Sequence, residues 1–180
     1  MEELEVPTEH LHETINEKAA EEKEKWSMYI ALSTAVMAVF AAISGLLGGH
    51  YANEALIGQV KASDQWAYYQ SKSIKAEIAA STGTIISIVS GKTLPAEDVA
   101  KSAKYEKDKE EIKQKAQELD KESELCLNKH NVLARAVTMF QIAIALAAIS
   151  ILTKKRLLWV CGIVLSLIGI FFLLQGSLLT

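Results

Sequence analysis

Residues 133–179 read LARAVTMFQIAIALAAISILTKKRLLWVCGIVLSLIGIFFLLQGSLL. Two apolar runs, Leu133–Leu152 and Leu157–Leu179, stand back to back, separated by Thr153 and the cations Lys154, Lys155 and Arg156. A helix needs about twenty predominantly apolar residues to cross the hydrocarbon core of a bilayer, and each run has that length. A third run of the same kind, from about Met28 to Leu47, lies near the N-terminus. None of the three contains Asp or Glu. Between the first and second lies a long polar segment with Lys, Glu and Asp throughout. The pattern predicts an all-α membrane protein. Three transmembrane helices are expected, with a long extramembrane antiparallel helical hairpin, a coiled-coil-like stalk, between the first and second.

Composition agrees with this segregation. Half the residues (50%) are hydrophobic and 23% are charged, a combination that suits a chain whose apolar and polar parts are separated. The net charge of -3 leaves no electrostatic footprint for nucleic acid. Before Trp26 the chain is acidic, with Glu2, Glu3, Glu5, Glu9, Glu13, Glu17, Glu21, Glu22 and Glu24 against three lysines, which argues against a polybasic lipid-binding tail. The acidic leader and the length of the first run also distinguish it from a cleaved signal segment. Cys126 and Cys161 fall at different depths, so no disulfide is expected between them, and neither belongs to a metal-ligand spacing.

Short loops rich in Lys and Arg stay in the cytoplasm. The Lys154–Arg156 turn therefore predicts this organisation: an acidic cytoplasmic segment 1–25, a first span 26–49, a periplasmic hairpin 50–132 with its tip near 82–94, a second span 133–153, the cytoplasmic basic turn 154–156 and a third span 157–179. Trp26, Tyr29 and Trp159 fit the cytoplasmic interface and Tyr51 the opposite one.

Within the hairpin a 3,4 spacing runs through Ala55, Gln59, Ala62, Trp66, Tyr69, Ser73, Ala76 and Ala80, predicting a helix to about Ala80. Gly45, Gly48 and Ala52 extend nearly the same face into the first span. A second helix is expected from about Pro95, with Glu97 and Asp98 suited to its N-terminus. Its seam is Tyr105, Lys109, Ile112, Ala116, Leu119, Ser123, Cys126, His130 and Leu133, continuing through Val137 and Phe140. Glu111/Lys115, Glu110/Lys113 and Glu118/Lys121 have ion-pair spacing on the outer faces. Joined near Ser87–Lys92, such arms would each project roughly 45–50 Å. Their seams are mostly small or polar, and two helices alone bury little surface. Association of stalks from several copies is the expected remedy. Ala38/Ala42, Ala41/Gly45 and Gly162/Ser166 carry small-xxx-small spacing for close helix approach in lipid, and Gln141 and Gln175 are intramembrane polar residues that gain from a partner helix. The tip holds Ile85, Ile86, Ile88 and Val89. Either the first helix runs on to about Val89 and these residues pack against neighbours, or they form an exposed apolar patch.

Chemistry is scarce. Gly91-Lys92-Thr93 lacks the earlier glycine of a phosphate loop, since Ile86 stands there. His50 and His130 would lie opposite each other at the base of the hairpin, with Glu54 as a third group. That is a candidate metal or pH site but also what two separate interfacial histidines would look like. With no carboxylate in a span, an ion-coupled transporter has no relay. Ser33, Thr34 and Thr138 are expected to bond to helix backbone. No cofactor is expected, and the chain does not read as an enzyme. Asp64, Trp66, Tyr69 and Gln70 belong to the densest polar-aromatic cluster, a candidate association surface.

That cluster lies in Ala62-Ser63-Asp64-Gln65-Trp66-Ala67-Tyr68-Tyr69-Gln70-Ser71-Lys72-Ser73-Ile74-Lys75, which resembles the signature of the bacterial family DUF4337, a domain of unknown function. Tyr105 with its charged helix, His130, Phe140-Gln141-Ile142-Ala143-Ile144-Ala145, the Leu152–Arg156 turn and Trp159 also fit. The resemblance covers the chain from about Glu21. It implies a bacterial membrane protein of three-span layout and brings no activity. The expected role is a homo-oligomeric inner-membrane scaffold or accessory protein, in contact with membrane lipids. It would associate through Asp64, Trp66, Tyr69 and Gln70 in the stalk and Gln141 between spans. Two other readings are an oligomeric pore or conduit, with Ser33, Thr34, Thr138 or Gln141 on its axis, and a sensor or adaptor. The adaptor would pass periplasmic signals to an unidentified protein partner at the N-terminal stripe Leu11, Ile15, Ala19 and Trp26.

Overall fold

In the computed structural model, residues 8–91 and 96–179 are described, with side chains over 25–89, at Gly91 and over 103–179. The N-terminal residues Leu11, Ile15 and Ala19 lie outside the described side chains. All regular structure among the described residues is helical: α1 Thr8–Ser90, α2 Ala96–Thr153 and α3 Arg156–Leu178. The lengths follow from an absence of breakers. The two prolines of the chain, Pro7 and Pro95, immediately precede the first residues of α1 and α2, and none falls within a helix. Each helix contains a segment long and apolar enough to cross a membrane.

α1 runs past Ala80, the shorter of the two expected limits, to Ser90. Thr84 and Ser87 donate their hydroxyls to Ala80 and Thr84 carbonyls at 2.9 and 3.0 Å, so these residues remain compatible with the helix. The helix stops at Gly91, whose φ of +66° is the left-handed conformation glycine adopts without strain. Its N–H caps the Ser87 carbonyl at 3.0 Å. Ile88 and Val89 are 75% and 81% exposed in the single chain.

The chain divides into two compact units. Unit 1 comprises Met1–Gly48 with Asn131–Leu179, and unit 2 comprises Gly49–His130.

Unit 1 packs three helices. Its buried residues recur at 3,4 spacing: Leu133, Ala136, Phe140, Ala143, Ala147 and Ser150 on α2, and Gly162, Ser166, Gly169 and Leu173 on α3. This is the knobs-into-holes period. A Cβ on Gly162 would lie 3.0 Å from the Ala143 carbonyl oxygen, and one on Gly169 would lie 3.0 Å from the Phe140 ring. The Gly162/Ser166 spacing is therefore used inside the chain, to bring α3 against α2. This corrects the expectation that it serves association between copies: the same small-residue pattern suits either contact, and here α2 of the same chain fills it. Phe40 stacks on Phe140, with ring centroids 6.0 Å apart. Trp159 Nε1 donates to Ser33 Oγ at 3.1 Å, and Arg156 lies 5.8 Å over the Trp26 ring. Along α1 and α3 these pairings rise together in number, so the two helices run in the same direction and α2 runs against both. Large apolar side chains such as Leu32, Leu46, Val164, Leu167 and Phe171 face outward, as lipid-facing residues do.

In unit 2 the contacts Ala55–Ser123, Trp66–Asp120 and Lys72–Asp108 join α1 to α2, the α1 numbers rising as the α2 numbers fall. Its buried residues include Ala55, Ala62, Ala76, Ala116 and Ser123. Small residues set a close approach: a Cβ on Gly58 would lie 3.1 Å from the Ser123 Cβ. Ser123 Oγ donates to the Ala55 carbonyl at 2.7 Å, a buried cross-helix bond.

Candidate functional site

The polar-aromatic cluster of unit 2 is built from both arms. Trp66, half-buried, donates its indole N–H to Asp120 Oδ2 at 2.8 Å and meets Tyr69 edge to face at 5.8 Å between centroids. Lys72 pairs with Asp108 at 3.0 Å and sits 5.6 Å from the ring centroids of both Tyr68 and Tyr105. Lys109 pairs with Glu106 at 3.1 Å and lies 6.0 Å from the Tyr69 ring. The cross-helix hydrogen bond that Lys72 donates to Asp108 holds its ammonium above the usual pKa of 10.5, against a smaller opposing effect of burial. The Glu106 hydrogen bond does the same for Lys109. Alternating cations and rings thus lock the register of the two arms. A shallow groove of about 450 Å³ runs beside them, lined by Gln65, Tyr68, Asp108, Glu111, Ile112 and Lys115.

Of the four cluster residues singled out by sequence, Trp66 and Tyr69 make their contacts across the arms of one chain, and Asp64 and Gln70 face outward. Sequence reading missed Asp108, Asp120 and Gly58. The two aspartates sit beside seam positions rather than on them, which was the available signal. Of the expected outer-face pairs, Glu110/Lys113 stand 3.9 Å apart, whereas Glu111 turns to Lys107 at 4.0 Å.

His50 is exposed and lies 5.3 Å from the Tyr51 ring, and His130 is half-buried. Among the described residues no three His, Cys, Asp or Glu side chains group as a metal site. Cys126 and Cys161 are free thiols. Ser33, Thr34 and Thr138 bond to carbonyls of their own helices at 2.8–2.9 Å, as expected of hydroxyls in spans. Gln141 and Gln175 are exposed on unit 1.

A second feature of unit 1 was not legible in the sequence. An apolar groove of about 410 Å³ runs between α1 and α3, lined among others by Leu32, Val36, Phe40, Ile163, Leu167 and Ile170. Tyr29, Ser33 and Trp159 stand at its end nearest the Lys154–Arg156 turn. The Trp26 indole N–H is buried at that same end without an acceptor.

Three helices long and apolar enough to cross a bilayer mark a helical membrane protein. The sequence profile described as "Domain of unknown function (DUF4337)" matches residues 26–179, and the chain belongs to that family. Comparison with curated proteins and with solved structures finds no match.

Proposed function

We propose that the protein is a homo-oligomeric, non-catalytic scaffold or accessory component of the bacterial inner membrane. Unit 2 is its periplasmic stalk, and the N-terminus and the Lys154–Arg156 turn are cytoplasmic. The observation that carries this reading is a contrast among the outward faces of unit 1. On α1 the exposed residues Ala31, Ala35, Ala38, Ala42 and Gly45 recur at 3,4 spacing. On α2 the exposed residues Ala134, Thr138, Gln141, Ala145 and Ala148 do the same. The exposed face of α3 is instead bulky, with Leu157, Val164, Leu167, Phe171 and Leu174. Lipid takes bulky side chains, whereas small ones leave room for another helix. Gln141, in mid-span, is stabilised by an amide partner that hydrocarbon does not offer. In the stalk, Asp64 and Gln70, with the open edges of Trp66 and Tyr69, supply the corresponding polar contact.

The test is the mass of the complex, by native mass spectrometry after gentle extraction. A single closed homo-oligomer is expected. Ala42→Leu together with Ala145→Leu should reduce it to smaller species, and Leu167→Ala should leave it intact. A monomer in the wild type would defeat the proposal.

A pore is a second reading, favoured by Thr138 and Gln141 sharing one exposed face of α2. It predicts bilayer conductance that changes in Gln141→Leu; an unchanged conductance would remove that residue from the axis.

A further inference from the structure

We infer that the groove between α1 and α3 is a binding site for one anionic phospholipid, with its acyl chain along the groove and its phosphate at the basic turn. The groove follows α3 from Trp159 to Ile170, roughly 16 Å at helical rise. That is close to half of the ~30 Å hydrocarbon core, the depth of a single leaflet. Its walls are aliphatic and aromatic, and its polar end is marked by Tyr29, Ser33 and Trp159, side chains suited to the headgroup boundary.

Charge selects the occupant. At this end of unit 1 the described side chains over 26–33 and 150–159 include Lys154, Lys155 and Arg156, and no Asp or Glu. Lys154 and Lys155 are exposed, and Arg156 spends its charge on the face of Trp26 rather than on a carboxylate. α3 begins at this turn with no side-chain cap at Lys155 and no acidic residue in its first turn, so backbone N–H groups and the helix dipole point at the same place. The Trp26 N–H, buried without an acceptor, is a further donor at this end. A zwitterionic lipid fills the groove equally well but leaves this charge unanswered. The site also lies on a different face of α1 from the Ala31–Gly45 stripe, because Leu32, Val36 and Phe40 are about 100–160° around the helix from Ala31, Ala35 and Ala42. It is therefore independent of the association surface proposed above.

The experiment reconstitutes the full chain in vesicles of equal phosphatidylglycerol and phosphatidylethanolamine with matched acyl chains. It then extracts the protein gently and identifies the retained lipid by native mass spectrometry. The wild type should retain phosphatidylglycerol with an enrichment of roughly tenfold or more, since a cation near an anionic headgroup is worth about fivefold. Lys154→Gln with Lys155→Gln, both at exposed positions, should bring the retained lipid toward the vesicle composition. Val36→Phe, which fills the groove, should reduce retention of both lipids without changing the mass of the protein assembly. Millimolar inorganic phosphate should displace neither. Retained lipid that mirrors the vesicle composition in the wild type, or enrichment unchanged in the lysine variant, would overturn the assignment. Enrichment that arises only after deletion of residues 1–20 would also overturn it, making the acidic N-terminal segment the partner of the basic turn. A change of oligomer mass in Val36→Phe would place a second copy of the chain in the groove and refute the lipid.

Discussion

Gly49 and Gly162 both lie in helices, where glycine costs about 1 kcal/mol relative to alanine, yet a methyl group would meet different surroundings at each. At Gly49 nothing lies within 4 Å, so Gly49→Ala should stabilise by up to about 1 kcal/mol. At Gly162 the new Cβ would lie 3.0 Å from the Ala143 carbonyl oxygen, a backbone atom that cannot rotate away. Gly162→Ala should therefore destabilise, by about 1–3 kcal/mol, through forced separation of α2 and α3. Thermal unfolding in one detergent checks both, and equal effects of the two substitutions would contradict the close approach. Lys154 is a residue-scale feature of another kind: its φ of +55° is unfavourable for a side chain with a Cβ. Lys154→Gly should raise the unfolding temperature slightly while removing one cation from the turn.

At the scale of elements, the arms of unit 2 are held by small-residue contacts and a few polar bridges, so single polar bonds weigh heavily in their pairing. Trp66→Phe keeps the ring and removes the donor to Asp120. It should weaken the pairing by about 1 kcal/mol, read as faster hydrogen exchange over 60–70 and 116–123 with little change in unit 1. The Lys72–Asp108 pair gives a pH signature. Its lysine pKa is raised in the folded state, so the pair's contribution is whole below about pH 10.5 and is lost as pH rises through the raised value. Arm pairing in the wild type should loosen over that alkaline window, and Asp108→Asn should abolish the component due to this pair. The pair is one partly exposed ion pair, and the effect should be small. The seam itself could be read from the sequence: Ala55, Ala62, Ala76, Ala116 and Ser123 are buried where the 3,4 spacing puts them. Asp108 and Asp120 could not, because a flanking carboxylate looks like any solvated one until the opposite helix presents Lys72 or Trp66 to it.

At the scale of the whole molecule, two units of different chemistry share one chain. Unit 1 presents an apolar exterior and a tightly packed seam; in lipid, where burial from water no longer drives association, contact packing and polar bonds between helices remain. Unit 2 is thinly cored, and its exposed surface mixes charged side chains with apolar ones such as Leu56, Val60, Ile74, Ile78 and Ile85. If the scaffold proposal holds, conditions that dissociate the assembly should release protection in unit 2 first, since its arms have the smaller core of their own. Hydrogen exchange before and after dissociation reads this, and protection lost first in unit 1 would point to the spans as the weaker element.

The sequence alone determined the three spans, the long helices and the seams that face inward. Those properties are local: crossing a bilayer requires a run of apolar residues with no helix breaker, and a helical face repeats every three or four residues whatever lies opposite. Family membership was legible for the same reason, in the contiguous run around Trp66. Only the tertiary structure decided which small faces are already occupied. Ala38/Ala42 and Gly162/Ser166 have the same spacing, but the first is exposed and the second is filled by α2 of the same chain. The groove between α1 and α3, the stacking of Arg156 on Trp26 and the Trp66–Asp120 bond likewise depend on how helices distant in sequence are rotated and placed in register. No local pattern encodes that rotation, because it is set by the sum of contacts across all the packed faces at once.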